Sequence, residues 1–151
     1  MKFKSVLFLT ALVSTFYSCQ QKPADTPIIG TWELISASTS EKDTTFSTFN
    51  PNVKMIKIIN PTHFAFMSHD RRAGKSKDST AAFTAGGGKY TLADSVYTEH
   101  LEYFVDPAWE NHNFEFVVKI TGDTLVQKGV EKLEKLGIDR VITEKYIRVK
   151  E

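Results

Sequence analysis

From residue 28 onward, apolar and polar residues alternate in short runs with a period of two, the pattern of strands that bury one face. The first run begins at Trp32 and the last ends at Val149. Turn signals such as Gly122-Asp123 separate the runs. No repeated alternation of strand and helix occurs, so the pattern predicts about eight antiparallel strands joined mostly by hairpins.

Strands in this number close well into a barrel, because a closed ring leaves no sheet edge open to aggregation. We therefore predict an all-β fold, a single eight-stranded up-and-down antiparallel barrel over residues 28–151. An interior of this size is filled by side chains or holds one small ligand.

One segment departs from the pattern. Val130, Leu133 and Leu136 recur at helical spacing before Gly137, which predicts a short helix over 130–136.

Three consecutive glycines, Gly86 to Gly88, precede Lys89 and raise the question of a phosphate-binding loop. That motif requires Ser or Thr after the lysine and another glycine five positions before Gly88. Tyr90 and Phe83 occupy these two positions, so both ends of the motif fail. Within a strand, such glycines indicate a bulge, a bend or a close approach of two backbones.

The first residues of the chain have a different character. Lys2 and Lys4 precede an apolar run over 6–16, which is shorter than the roughly 20 residues of a permanent membrane helix. Ser18 and the single cysteine of the chain, Cys19, come shortly after this run. A lone cysteine has no disulfide partner, so its position at this boundary indicates another use.

This segment resembles the signal peptide of bacterial lipoproteins. The resemblance implies that residues 1–18 are removed, that Cys19 is acylated, and that residues 19–27 form a polar tether. It also implies that the chain reaches a membrane through an N-terminal lipid anchor. The expected location is the cell envelope of a Gram-negative bacterium, with the anchor in the periplasm or at the outer membrane. Two acyl signals suffice for stable anchoring, since each buried CH₂ contributes about 0.8 kcal/mol.

Charge and histidine spacing exclude several other classes of function. Loss of Lys2 and Lys4 with the leader changes the formal net charge from +1 to −1. This balance gives no basic field for nucleic acid, so we expect no nucleic-acid partner. The four histidines lie apart and lack a short metal-binding spacing. We therefore expect no metal site and no cofactor.

Gly30 and Trp32 open the first predicted strand, and Arg148 lies near the end of the last one. A Gly-x-Trp on the first strand and an arginine on the last resemble the lipocalin and wider calycin pattern. The resemblance implies that Arg148 lies across the Trp32 indole and closes one end of the barrel. The ordered segments IIGTWEL, KIINPTHFAF, AGGGKYTL, YTEHLEYF, GDTLVQKG and TEKYIRV are together similar to lipocalin-like lipoproteins of Bacteroidota, most of which have no assigned function.

Alternation from these two ends predicts which side chains face the interior. Leu34 and Ser36 have inward parity on the first strand, as do Glu144 and Tyr146 on the last. A carboxylate inside a barrel is costly unless it is paired or hydrated. Arg148 lies about 13 Å from Glu144 along the strand and is too far away to pair with it. A neighbouring strand or a ligand must therefore supply the partner of Glu144.

The inward parity of two other strands stays open. On 96–104, either the odd-numbered residues or the even-numbered residues face the interior. We favour the odd-numbered set, because two tyrosines and a leucine around one acid are typical of a pocket wall: Tyr97, Glu99, Leu101 and Tyr103. On the strand over 63–67, Phe64 and Phe66 alternate with His63 and Ala65. On the strand before it, Lys57 is the natural counter-charge for a buried glutamate. The predicted ligand-binding set is Lys57, Phe64, Phe66, Tyr97, Glu99, Tyr103, Phe114, Phe116, Glu144 and Tyr146.

Three functions fit these residues. The first is a binding module for a small apolar or amphipathic molecule that carries an acidic or hydroxyl group. The second is a barrel-housed isomerase or cyclase, with Glu99 or Glu144 as general base and His63 or Tyr97 as acid. The third is a packed envelope interaction protein without a ligand, contacting its partner through the basic loop over 68–79 and the segment that holds Phe46 and Phe49. No nucleophile–base set accompanies the acids, so binding is favoured over catalysis.

Overall fold

The computed structural model describes residues 27–72 and 83–150 of the chain. The predicted leader, most of the tether, Cys19, and Lys75 and Lys77 of the basic loop lie outside the described residues. The described part holds nine strands: β1 (Gly30–Glu41), β2 (Thr44–Ser47), β3 (Val53–Ile59), β4 (His63–Asp70), β5 (Phe83–Ala93), β6 (Val96–Phe104), β7 (His112–Thr121), β8 (Thr124–Leu133) and β9 (Ile138–Arg148).

Eight of these strands form a closed antiparallel ring in the order β1, β3, β4, β5, β6, β7, β8, β9, with β9 pairing back onto β1. The predicted all-β barrel is therefore confirmed, and it is consistent with a lipocalin-like fold. The short strand β2 lies outside the ring. It pairs with the C-terminal part of β1, whose N-terminal part pairs with β3.

The predicted helix over 130–136 is wrong. Val130 and Leu133 lie in β8, opposite Val141 and Ile138 of β9. A single 3₁₀ turn, Glu134–Leu136, follows, and it ends at Gly137 in the left-handed conformation, with φ 65°. The helical spacing arose because an outward valine, an inward leucine and a turn residue happen to recur every three positions. Pairing with β9 satisfies the backbone of this segment and overrides that spacing.

One end of the barrel is closed by Trp32, which is fully buried. The guanidinium carbon of Arg148 lies 4.1 Å from the centre of the Trp32 ring system. Arg148 also donates hydrogen bonds to the carbonyl oxygens of Ile29, at 2.8 Å, and Pro27, at 2.5 Å. The Trp32 indole N–H donates to the carbonyl oxygen of Ile28 at 2.8 Å. We call this end, where β1 begins and β9 ends, the closed end.

Two β-bulges change the predicted parity of side chains. Ile35 is an extra residue on β1 opposite β9, so Ser36 is exposed instead of facing the interior. Glu102 is an extra residue on β6 opposite β5, so Tyr103 points outward with 68% of its surface exposed. Both predictions of inward parity, for Ser36 and for Tyr103, are wrong, because one inserted residue moves all later side chains to the other face. Phe104 faces the interior in place of Tyr103 and packs against the core.

The glycine run explains how the interior accommodates large rings. A Cβ atom on Gly86 would lie 2.8 Å from the rings of both Phe66 and Phe104. Gly88 lies opposite Leu101, directly beside the β6 bulge, where a Cβ would collide with the carbonyl oxygen of His100. The close approach predicted from the sequence is therefore present at both positions.

Candidate functional site

A cavity of about 230 Å³ lies inside the barrel, in the half away from the closed end. Strands at this end are connected by the longer links, including the 3₁₀ turn Pro107–Trp109 between β6 and β7. We call this end the open end. The lining residues come from β3, β4, β6, β7, β8, β9 and this turn: Met55, Lys57, Phe66, Glu99, Leu101, Phe104, Trp109, Phe114, Phe116, Gln127, Glu131, Arg140, Ile142 and Glu144.

A continuous series of aromatic rings forms one wall of the cavity. Phe66 and Phe104 have ring centres 5.9 Å apart, and Phe104 and Trp109 follow at 5.7 Å. Trp109 then contacts Phe114 at 5.9 Å. These separations are those of favourable tilted aromatic pairs. The absent side chain of Gly86 leaves room for the first two rings.

The floor of the cavity holds a buried ion pair. The Lys57 ammonium lies 2.6 Å from Oε1 of Glu99, with only 3% and 8% of the two side chains exposed. Lys57 also donates to Oε1 of Gln127 at 3.1 Å. The Lys57 nitrogen lies 5.5 to 6.0 Å from the ring centres of four aromatic residues. The rings therefore surround the ammonium with polarisable groups that attract a cation. These rings are Phe64, Tyr97, Phe116 and Tyr146.

Glu144 continues the polar network from this ion pair. Its Oε2 accepts hydrogen bonds from Gln127 Nε2 at 2.8 Å and from the Tyr146 hydroxyl at 2.6 Å. Gln127 lies directly opposite Glu144 in the β8–β9 ladder, which places the two side chains on the same face. A neighbouring strand and the next inward residue of β9 thus supply hydrogen bonds to Glu144, but neither group is a counter-charge.

A second ion pair lies closer to the open end. Arg140 Nε donates to Oε2 of Glu131 at 2.6 Å, with 32% and 15% of the two side chains exposed. The Arg140 guanidinium carbon also lies 5.8 Å from the Trp109 ring centre. The pair comes from directly opposed positions of β8 and β9. Its charges face the cavity above the floor.

Burial shifts the acid–base properties of several groups in this interior. Burial raises the pKa of Glu99, and the ammonium of Lys57 opposes that rise. Burial also raises the pKa of Glu131, against the opposing effect of Arg140. The pKa values of Tyr97 and Tyr146 are raised first by burial and then by the carboxylates of Glu99 and Glu144. The Tyr97 hydroxyl is buried without a hydrogen-bond partner within the described residues.

Comparison with known families places the chain in a family. A family model described as "Domain of unknown function (DUF4488)" matches residues 27–151, which is the whole barrel. The chain belongs to the DUF4488 family. The description carries no activity or ligand, and no curated protein matches the chain. In the part of the chain that the structure describes, no helix is long and apolar enough to cross a membrane.

The DUF4488 barrel brings together most of the residues that the sequence singled out. Six of them line the cavity: Lys57, Phe66, Glu99, Phe114, Phe116 and Glu144. Three others, Phe64, Tyr97 and Tyr146, are buried around Lys57 towards the closed end without lining the cavity. Tyr103 is excluded, since the β6 bulge turns it to the outer surface.

Several residues that line the cavity were not predicted from the sequence. Gln127 and Glu131 share the parity of the buried Leu125 on β8, and Arg140 shares that of Glu144 on β9. Extending the alternation from these anchors would have found all three. Trp109 lies on a 3₁₀ turn outside any alternating run, and no periodic signal marks it.

The acid–base pair that uses His63 is not assembled in the DUF4488 barrel. His63 is exposed at the start of β4, near the closed end, and its Nδ1 lies 2.7 Å from the Thr62 hydroxyl. The other histidines also lie outside the cavity lining, and no group of three potential metal ligands occurs among residues 27–72 and 83–150. The interior glutamates instead form a hydrogen-bonded network with Lys57, Gln127 and Tyr146.

Proposed function

We propose that this chain is a lipid-anchored cell-envelope barrel that binds a small, partly apolar ligand in its interior. The observation that supports the proposal best is the asymmetry of the barrel. Trp32 and Arg148 close one end, and the other half holds a cavity of about 230 Å³ with aromatic walls and a polar floor. Apolar walls with a few convergent polar groups are typical of small-molecule sites.

The size of the cavity limits the ligand. A dry cavity of about 150 Å³ accepts benzene, and pockets for drug-sized molecules begin at about 300 Å³. A cavity of about 230 Å³ therefore suits a molecule of one ring with a short polar arm, or an aliphatic chain of similar volume. The same cavity argues against the packed barrel without a ligand.

The lipid anchor rests on the sequence of the leader and on the place where the barrel begins. The apolar run over 6–16 and Cys19 resemble a lipoprotein signal, and the first strand of the barrel begins at Gly30, shortly after them. Pro27 lies at the closed end, where its carbonyl oxygen accepts from Arg148. The described chain therefore enters the barrel at the closed end, opposite the cavity. The similarity of the barrel segments to lipocalin-like lipoproteins of Bacteroidota also supports an envelope location.

Native mass spectrometry of protein purified gently from its own host tests the ligand proposal. We expect a bound species of a few hundred daltons or less, which is lost on unfolding. Protein that arrives without added mass, and that responds to no member of a small-molecule library, contradicts the proposal.

A matched pair of variants locates the binding site. Ile142→Trp places a bulky ring into the cavity from β9, whereas Ile147→Trp makes the same change on the outer face of that strand. The first change is expected to abolish the added mass and the second to preserve it. Equal retention in both variants would place the ligand outside the cavity.

The anchor has its own test. Cys19→Ser removes the acylation site without touching a described residue. In detergent phase separation, we expect the unmodified protein in the detergent phase and the variant in the aqueous phase. Partition of both proteins into the same phase contradicts the anchor and leaves the ligand proposal unaffected.

A further inference from the structure

The charges that line the cavity do not balance. Five charged side chains border it, and four of them form the two ion pairs Lys57–Glu99 and Arg140–Glu131. Glu144 is the fifth. Within residues 27–72 and 83–150, it has no ion-pair partner. The lining therefore carries a formal charge of one negative unit in a largely apolar enclosure.

The hydrogen bonds of Glu144 fix the position of its carboxylate. Both donors, Gln127 Nε2 and the Tyr146 hydroxyl, bind the same oxygen, Oε2. Both are neutral groups, so they orient the charge without compensating it. The second oxygen, Oε1, accepts no hydrogen bond from a described residue and remains available to a bound molecule.

The network also keeps Lys57 out of direct contact with Glu144. Gln127 Oε1 accepts from Lys57 at 3.1 Å, which commits the amide nitrogen to Glu144. The Lys57 ammonium is meanwhile held at 2.6 Å from Glu99. The amide of Gln127 thus separates the ammonium from the second carboxylate.

Glu144 lies at a junction between two cavities. A further space of about 280 Å³ lies beneath the link between β2 and β3, and it shares Met55 and Glu144 with the first cavity. This space exists because β1 leaves β3 after Glu33 and pairs with β2 instead. A molecule can therefore meet Glu144 from the interior or from this side.

We propose that the ligand carries a protonated amine, which binds the Glu144 carboxylate while its apolar body packs against the aromatic wall of the cavity. This inference rests on the proposed function and specifies the chemical class of its ligand. An ammonium group restores neutrality to the enclosure and donates to the free oxygen of Glu144. An acidic group, one of the two kinds of polar group expected from the sequence, would instead add a second uncompensated negative charge.

Three probes with the same phenyl body test the amine: 2-phenylethylamine, 2-phenylethanol and phenylacetate. All measurements use the full chain with Cys19→Ser, which keeps every described residue. Binding is followed by NMR through the two tryptophan indole N–H signals. Trp109 borders the cavity and should shift, whereas Trp32 lies in the closed end and reports whether the barrel stays folded. We expect the amine to bind about tenfold or more tightly than the alcohol, with the carboxylate weakest.

Variants assign the preference to one side chain. Glu144→Gln should reduce the affinity for the amine to about that for the alcohol, so that the preference between these two probes is lost. Glu115→Gln removes the same charge from the exposed face of β7 and should leave the order of the three probes unchanged. This control separates a contact at Glu144 from a general effect of net charge.

The outcomes distinguish this inference from the proposed function. If the alcohol or the carboxylate binds as tightly as the amine, or if E144Q keeps the amine preference, the inference is overturned and the binding cavity stands. If the folded protein binds none of the three probes and native mass spectrometry finds no ligand, the proposed function fails, and the inference with it. The order of the probes on the unmodified cavity decides the question even where E144Q does not fold.

Discussion

The Lys57 ammonium and the Glu99 carboxylate lie 2.6 Å apart, although the two residues are 42 positions apart in the chain. Their strands, β3 and β6, are not neighbours in the ring, since β4 and β5 lie between them. The contact therefore crosses the interior of the barrel. It joins two charges that neither strand could bury alone.

Breaking this pair from one side should be costly. Lys57→Met leaves the Glu99 carboxylate buried without its counter-charge, so we expect the free energy of unfolding to fall by about 3–5 kcal/mol. Equilibrium denaturation with urea measures the change. Glu99→Gln in the Lys57→Met background removes the unpaired charge and should restore part of the loss.

A surface ion pair provides the control for this change. Lys54 lies 2.9 Å from Glu33, but 51% and 36% of the two side chains are exposed. Lys54→Met should therefore change stability by less than about 1 kcal/mol. Equal losses in K57M and K54M would contradict the assignment of Lys57 to a buried pair.

Arg148 should not be replaceable by lysine. Its guanidinium stacks 4.1 Å from the Trp32 ring centre and donates to two backbone carbonyl oxygens. An ammonium group lacks the planar fork needed to do both, so Arg148→Lys should reduce the free energy of unfolding by about 2 kcal/mol. A red shift of Trp32 fluorescence should accompany the loss. Arg140→Lys, at the ion pair with Glu131 near Trp109, serves as the comparison, and an equal effect there would argue against a special role for the closed end.

Two buried tyrosines should respond to different extents when the hydroxyl is removed. The Tyr146 hydroxyl donates to Glu144 at 2.6 Å, and Tyr146→Phe should cost about 1.5–3 kcal/mol, because a hydrogen bond to a charged group is lost. The Tyr97 hydroxyl makes no hydrogen bond of good geometry in the described part of the chain, although the nearby Glu99 carboxylate helps to raise its pKa, so Tyr97→Phe should destabilise the protein much less than Tyr146→Phe. Thermal and urea unfolding of the two variants measure the difference. Equal destabilisation by both substitutions would show that Tyr97 is also hydrogen-bonded.

Glu131 should give stability a characteristic dependence on pH. Burial raises its pKa above the ordinary value of 4.5, against the effect of Arg140. Between the unfolded and folded pKa values, the folded state binds more protons, so the free energy of unfolding falls as pH rises. The stability of the unmodified protein relative to Glu131→Gln should therefore decline as pH rises above about 4.5.

Urea unfolding of both proteins at a series of pH values measures this difference. Well below pH 4.5, Glu131 is protonated in both the folded and the unfolded state, so the difference should be constant there. A difference that grows with rising pH would mean that Arg140 outweighs burial and lowers the pKa.

Much of the fold could be predicted because its signals are local. Period-two alternation, hairpin turns and the Gly-x-Trp at the start of β1 each depend on residues a few positions apart. The same alternation found inward positions such as Phe114 and Phe116 on β7, where no bulge interrupts the strand. It was wrong for Tyr103, because one extra residue at Glu102 reverses the parity of the end of β6.

The candidate site was predictable only in part. Lys57, Glu99 and Glu144 were recognised as charges that need partners, since an unpaired charge in a barrel is costly wherever it lies. Which groups would pair could not be read from the chain, because Gln127 reaches both Lys57 and Glu144 only through the β8–β9 register and the curvature of the ring. Trp109 enters the cavity through a turn, which no periodic pattern marks.

The sequence by itself determined that this protein is a closed antiparallel barrel, because each alternating strand has one apolar face that must be buried. Trp32 lies on the first strand of that barrel and Arg148 on the last, and these two strands pair. Tertiary structure alone decided where the bulges lie, which charges neutralise each other and that Glu144 is left over beside an open cavity. These features depend on contacts between residues far apart in the chain, such as the 70 positions between Lys57 and Gln127. Their energies are set by ring closure and burial, and no local pattern encodes them.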